Sequence, residues 1–243
     1  MAKRLTPALQ QVKALTFDVF GTVVDWRGSI AREGRKLGKE LGIRADWTAF
    51  ADAWRAGYQP AMQEVRSGRL AWTNIDGLHR RILERILGAS GLDMLSEAEK
   101  DQLNRAWHRL APWPDALRGL KRLKKRYLIA TLSNGNVSLL TNMAKRARLP
   151  WDCVLSAELF HHYKPDPEAY LGAAAMLGFA PHEVMMVAAH KGDLRAAQAA
   201  GLRAAFVQRP LEFNDPVKKD LKPEKDFDVN ARDFIDLAAK LGL

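Results

Sequence analysis

The stretch Thr16-Phe17-Asp18-Val19-Phe20-Gly21-Thr22-Val23-Val24-Asp25 is an apolar run interrupted by one carboxylate and then by Gly-Thr. An aspartate at the C-terminal tip of a buried parallel strand lies where open α/β sheets keep their chemistry. There it can attack an electrophile and form a covalent intermediate. Two residues on stands Phe20, which can neither transfer a proton nor bind a metal, and this narrows the reactions open to Asp18. Three more polar clusters follow along the chain: Leu132-Ser133-Asn134-Gly135, Tyr163-Lys164-Pro165-Asp166, and the run 187–193 that ends His190-Lys191-Gly192-Asp193.

These clusters need a scaffold. Five apolar, β-rich runs read as strands: 12–17, 127–132, 153–157, 184–188 and 204–207. Helical stretches lie between the later ones, for instance 167–177 and 194–200, with Gly201 as a helix stop. Strands alternating with helices predict an α/β fold with a doubly wound parallel sheet, a Rossmann-like core. The region 26–110 has no convincing strand. Ile30, Leu37 and Leu41 repeat at helical spacing, then Phe50, Trp54 and Tyr58, then Leu78, Ile82, Leu83 and Ile86. Asp46 reads as the N-cap of the second of these helices. Ser96-Glu97-Ala98-Glu99 has capping-box spacing and opens a fourth helix running to about His108. The reading is a helical insertion over 26–110 in a core made of 1–25 and 111–243. Pro112-Trp113-Pro114-Asp115 brings the chain back to the sheet. The charged segment 216–228 reads as an irregular surface connection, and a last helix over 231–241 packs back on the core.

Composition sets outer bounds. The 243 residues are 47% hydrophobic and 27% charged, as in an ordinary globular protein. No apolar run approaches the ~18 residues of a membrane helix, and residues 1–13 lack the apolar core of a signal peptide. Cys153 is the single cysteine, so neither an internal disulfide nor a thiolate metal cluster is available, and a reducing cytoplasm is expected. The net charge is +10, but the basic residues are dispersed over helical segments with no aromatic-basic stripe. No nucleic-acid or membrane partner is expected; the positive field favours a small anionic substrate.

Four short motifs in order, each at or just after a strand end, with a helical insertion after the first, resemble the haloacid dehalogenase superfamily, and within it the L-2-haloacid dehalogenases. The resemblance spans nearly the whole chain. It implies a Rossmann-like core with the insertion as a cap domain, a homodimer, no cofactor and no metal. Asp18 would be the nucleophile. In the phosphatase branch a second Asp two residues on protonates the leaving alkoxide, and Phe20 stands there instead. Halide leaves without a proton, whereas for a phosphatase the loss would remove a general-acid factor of ~10²–10⁴. Phosphatases also carry paired acids in the fourth motif that help to hold Mg²⁺. The first of these aligns with Ala189, leaving Asp193.

The resemblance also assigns roles. Thr22 and Ser133 would hold the carboxylate of Asp18 or of the substrate. Backbone N–H groups of Val19 and Phe20 could form an anion nest for the substrate carboxylate. Asn134 and Arg55 would cradle the departing halide, and Tyr170 matches the family downstream of Tyr163-Lys164-Pro165-Asp166. Lys164 would offset the charge of Asp18, Asp193 and the substrate. Asp193 would orient or deprotonate the hydrolytic water, and could also N-cap the helix 194–200. The departure is His190. Typical members read Ser-Ser-Asn where Ala188-Ala189-His190 stand here, so His190 could donate to the leaving halide or help to activate water. A compact donor would suit fluoride. His79, His108, His161, His162 and His182 carry no such context. The implied reaction is hydrolysis of short 2-haloacids, fluoroacetate included, to 2-hydroxy acids through an ester on Asp18. The rivals are a Mg²⁺-dependent phosphatase or phosphonatase of the same superfamily and a non-catalytic scaffold.

Overall fold

Ala14, Leu15, Thr16 and Phe17 are all buried and form β1 (Ala14–Phe17). A strand covered on both faces has no solvent side to alternate toward, hence its near-continuous apolar run. Burying Leu15 and Phe17 contributes about 1.5–3 kcal/mol each. The computed structural model describes residues 5–213 and 221–243. It divides into two units, one of Met1–Asp25 with Pro112–Leu243, the other Trp26–Ala111.

In the first unit the chain passes β1 and leaves through the two-residue strand β2 (Val24–Asp25). It returns through β3 (Ala111–Pro112) and continues with β4 (Leu128–Ser133), β5 (Cys153–Ser156), β6 (Val184–Ala188), β7 (Arg203–Val207) and β8 (Val229–Ala231). Six of these form one parallel sheet in the order β5-β4-β1-β6-β7-β8. The chain builds outward from β1 in both directions. Such a reversal opens a crevice at the C-terminal ends of the strands. Register brings those ends level: Phe17 pairs with Thr131 and with Val187. Asp18, one residue past β1, donates its N–H to the carbonyl of Val187 at 3.0 Å.

The sixth strand, β8, was not expected. Three residues following a charged segment carry too little pattern to be read as a strand, and β8 lies at the edge of the sheet beside β7. The last helix is correspondingly shorter than 231–241. It covers Phe234–Lys240, with Asp233 as N-cap accepting from Asp236 N–H at 2.7 Å. Of the segment 216–228, residues 216–220 lie outside the described residues, and 221–228 precede β8 without regular structure.

The second unit holds the helices Trp26–Leu41, Trp47–Ala56, Tyr58–Arg66, Ile75–Ile86 and Glu97–Asn104. Asp46 caps the second by accepting the N–H groups of Thr48 and Ala49, and the capping box at Ser96 and Glu99 is formed in both directions. Two expectations are corrected. Tyr58 does not continue the helix of Phe50 and Trp54. Pro60 has no N–H for the carbonyl four residues back, so the helix stops at Ala56 and a new one starts at Tyr58. The fourth predicted helix ends at Asn104, and Arg105–Arg109 tighten into a 3₁₀ turn. Trp26, Trp54 and Trp107 are each at most 1% exposed and form the centre of this unit.

Candidate active site

Asp18 sits at the tip of β1, where the turn after the strand doubles back: Val23 and Val24 both donate to the carbonyl of Val19, and Gly21 donates to that of Val24. Gly21 has φ +83°, and a Cβ there would lie 2.0 Å from Glu212 Oε1, so only glycine fits. The turn aims the Thr22 hydroxyl back at the strand end. Thr22 Oγ1 donates to Asp18 Oδ2 at 2.6 Å and accepts the N–H of Ala189 at 2.9 Å.

The third and fourth motifs meet the first here. Lys164 Nζ donates to Asp18 Oδ1 at 3.2 Å and to Asp193 Oδ2 at 2.5 Å. Lys164 is 7% and Asp18 8% exposed, so these charges interact with little solvent screening. Burial pushes the Asp18 carboxyl up. Lys164, then His190, and the Thr22 hydroxyl outweigh it and hold the group well below the usual carboxylate range. For Asp193 burial dominates and raises the carboxyl: Lys164 opposes it, and the neighbouring Asp18 charge adds to it. Burial alone would lower Lys164; the carboxylates of Asp18 and Asp193 reverse this and raise it. The result is one acid held ionised beside another poised to take a proton.

The helix Lys191–Ala199 has His190 as its N-cap residue, not Asp193. Asp193 is the third residue inside the helix, in the first turn, where the positive end of the helix dipole faces it. Tyr170 is fully buried, and its hydroxyl donates to Asp193 Oδ1. It braces this carboxylate; burial, then the Asp193 charge, raises its own pKa.

Other expected residues take different partners. Ser133, at the tip of β4, accepts the Gly135 N–H at 3.1 Å and makes no bond to Asp18 among the described residues. Among the described residues, Thr22 alone of the two hydroxyls bonds Asp18. Asn134 clasps the Lys164 backbone: its Oδ1 accepts the Lys164 N–H at 2.7 Å and its Nδ2 donates to the Lys164 carbonyl at 3.3 Å. Asn134 thus holds the Lys164 backbone in place. Phe20 lies against the same loop, and a Cβ on Gly135 would stand 3.0 Å from its Cζ. Val19 directs its carbonyl into the turn.

His190 lies between two carboxylates. Its Nδ1 is 3.0 Å from Asp18 Oδ2 and its Nε2 is 2.8 Å from Glu212 Oε1. Asp18, held ionised, can only accept, so Nδ1 carries a hydrogen and donates. Glu212 is 1% exposed and was missed in the sequence, as was the buried Arg209. Arg209 makes a two-pronged bond to Asp115 at 2.8 and 2.9 Å and donates through Nε to the carbonyl of Thr22 at 2.7 Å. The missed signal was position: Arg209 and Glu212 lie in the loop after β7 (Arg203–Val207), whose C-terminal end shares an edge with the other site loops.

In the helical unit, the Arg55 guanidinium lies over the rings of Tyr58 at 4.3 Å and Trp26 at 5.6 Å. Its Nη1 is buried and meets no hydrogen-bond acceptor among the described residues. Among the described residues no group of three or more His, Cys, Asp or Glu is arranged to hold a metal ion. None of the described helices is long and apolar enough to cross a membrane.

Comparison with known proteins agrees with this geometry. A family model for haloacid dehalogenase-like hydrolases matches residues 12–201. The chain is 27% identical over 219 residues to (S)-2-haloacid dehalogenase 4A of Burkholderia cepacia, covering 83% of this chain and 85% of that one. It is 30% identical over 202 residues to an (S)-2-haloacid dehalogenase of Xanthobacter autotrophicus, covering 82% and 76%. Among solved structures it is similar to a defluorinating L-2-haloacid dehalogenase, with 46% identity, 99% of each chain covered and a TM-score of 0.94. A second L-2-haloacid dehalogenase shares 48% identity over 95% of this chain and 99% of that one, with a TM-score of 0.91.

Proposed function

The chain belongs to the haloacid dehalogenase-like hydrolases, and on that premise we propose that it hydrolyses short 2-haloacids to 2-hydroxy acids. Asp18 attacks the α-carbon in line with the carbon–halogen bond; halide leaves with the bonding pair, and an ester to Asp18 remains. Attack from the face opposite the halogen inverts a chiral centre, so an L substrate yields a D product. Water then adds to the Asp18 carboxyl carbon, gives its proton to Asp193, and releases the hydroxy acid.

The observation that carries this reading is the pairing of an ionised Asp18 with Lys164 next to Phe20. A carboxylate kept ionised by an ammonium is a nucleophile toward carbon. Phe20 offers no proton for an alkoxide leaving group, and halide needs none. Neither Phe20 nor Ala189 has a side-chain oxygen with which to ligate Mg²⁺, and Lys164 pairs with both Asp18 and Asp193. Arg55 supports the second partner of the reaction, since a cation with a buried donor and no acceptor suits an anion such as halide or a carboxylate. The relatives' names carry the substrate class, and one of them carries defluorination. The family resemblance supports a cytoplasmic homodimer, consistent with a lone, unpaired Cys153.

The test is halide release, with EDTA present, from chloroacetate, fluoroacetate and each enantiomer of 2-chloropropionate. Wild type releases halide from the L enantiomer, and Asp18→Asn loses on the order of 10⁴-fold or more. In a single turnover in ¹⁸O water, label enters Asp18 and not the product. No halide from any substrate, with Mg²⁺-dependent release of phosphate from esters, would overturn the reading.

A further inference from the structure

Resting on that reading, we propose that Glu212 is a positioning residue for the second half of the reaction: it holds His190 as a donor to Asp18 Oδ2, and His190 with Thr22 forms the oxyanion hole in which the ester is hydrolysed.

The two oxygens of Asp18 are not equivalent. Oδ2 receives two close donors, Thr22 Oγ1 at 2.6 Å and His190 Nδ1 at 3.0 Å. Thr22 cannot turn away, because the Ala189 N–H occupies its oxygen from the other side at 2.9 Å and directs its hydrogen to Asp18. Oδ1 has Lys164 at 3.2 Å. The oxygen with the less saturated lone pairs, Oδ1, forms the bond to carbon. Oδ2 then becomes the carbonyl oxygen of the ester.

In hydrolysis a water oxygen bonds to Cγ of Asp18, and its proton passes to Asp193. The carbonyl pair moves onto Oδ2, which becomes an oxyanion. When that pair returns, the Cγ–Oδ1 bond breaks, the departing alkoxide takes the proton back from Asp193, and the regenerated Asp18 acid releases the second water proton to solvent. The donors needed at that moment are already on Oδ2 in the resting enzyme. Donors so placed are worth most because nothing must reorganise as charge develops.

His190 can serve only if its ring is oriented. It caps a helix, and its side chain is 31% exposed, so its own surroundings do not immobilise it. Glu212 does: its side chain is fully buried, and Oε1 meets Nε2 at 2.8 Å. With a carboxylate oxygen within hydrogen-bonding distance of each nitrogen, the ring is held at both ends. Hydrogen bonds that involve charge are roughly twice as strong as neutral ones. Gly21 makes this possible, since any side chain there would occupy the position of the Glu212 carboxylate.

The experiment separates the two chemical steps. L-2-Chloropropionate is mixed with excess enzyme, the reaction is quenched over time, and chloride and intact protein mass are both measured. Glu212→Gln keeps the shape and removes the charge. The expected result is a chloride burst within about threefold of wild type, with ester decay slowed about tenfold or more, so that alkylated enzyme accumulates. A merely structural loss slows both steps together, and equal slowing overturns the proposal, as does ester decay at the wild-type rate. Should Glu212→Gln not fold, His190→Asn reads the same step at a partly exposed position; unchanged ester decay there also overturns it. Absence of any chloride burst in wild type would instead defeat the dehalogenase reading on which the inference rests.

Discussion

Arg209 and Arg55 are both laid against aromatic rings, one in each unit, and they are satisfied in opposite ways. Arg209 lies over Phe234 at 4.6 Å and Trp113 at 5.9 Å, is 5% exposed, and commits its guanidinium to Asp115 and the Thr22 carbonyl. Arg55 lies over Tyr58 and Trp26, and one of its buried nitrogens has no acceptor among the described residues. A buried donor left without a partner costs free energy, about 1–3 kcal/mol for a neutral group and more for a charged one. Arg209 is thus committed to Asp115 and to the turn that carries Thr22, whereas Arg55 keeps a donor, free among the described residues, that fits the anion-binding role proposed for it.

The largest expected effect tests the satisfied arginine. Arg209→Met leaves Asp115 without its ion partner and the Thr22 carbonyl without a donor. Breaking such a buried pair costs about 3–5 kcal/mol. Urea denaturation followed by circular dichroism measures it, and a loss below about 1 kcal/mol would break the assignment. Arg55→Ala is expected to divide the pair the other way. Loss of a charge-stabilising donor lowers kcat/KM on the order of 10²-fold, while the forfeited ring contacts cost about 1 kcal/mol of stability. If Arg55→Ala destabilises as much as Arg209→Met and leaves kcat/KM intact, the contrast fails.

The smallest effect concerns His79, buried in the helical unit. Its ring stacks on Trp107 at 4.0 Å between centroids and lies beside Tyr58 at 5.7 Å. Burial lowers its pKa to about 3, outweighing the pull of Asp76. The unfolded chain binds a proton on this histidine below about pH 6.5, and the folded chain does not until about pH 3. Its contribution is therefore fully present above pH 6.5 and is lost as pH falls through that window. Between pH 7 and pH 5 the loss is about 2 kcal/mol, and His79→Phe should remove it. Tryptophan fluorescence during urea unfolding at the two pH values reads this; an unchanged pH dependence in His79→Phe would refute it.

How much of this was legible beforehand differs by residue. Asp18, Lys164 and Asp193 stood in motifs at strand ends, and parallel pairing alone brings strand ends together. Asp46 and the capping box at Ser96 were readable because caps act over three residues. The break before Tyr58 was visible as Pro60 and was outweighed by the apolar period. β8 was hidden because three residues have no period. Ser133, Asn134 and Tyr170 were recognised as site residues, yet their partners were not, since a hydroxyl or amide has several acceptors in reach once the loops fold.

The sequence by itself determined the class of fold, the helical insertion and the place of Asp18 at a strand end, because strand periodicity, helix capping and a carboxylate at the end of an apolar run are local properties. Tertiary structure alone decided what each polar group does. Glu212 follows Asp18 by 194 positions and faces the same imidazole. Arg209 reaches back to the turn that holds Thr22. Hydrogen bonds and ion pairs act over about 3 Å, so which partners share that distance is settled only when β1, β6 and β7 align their ends.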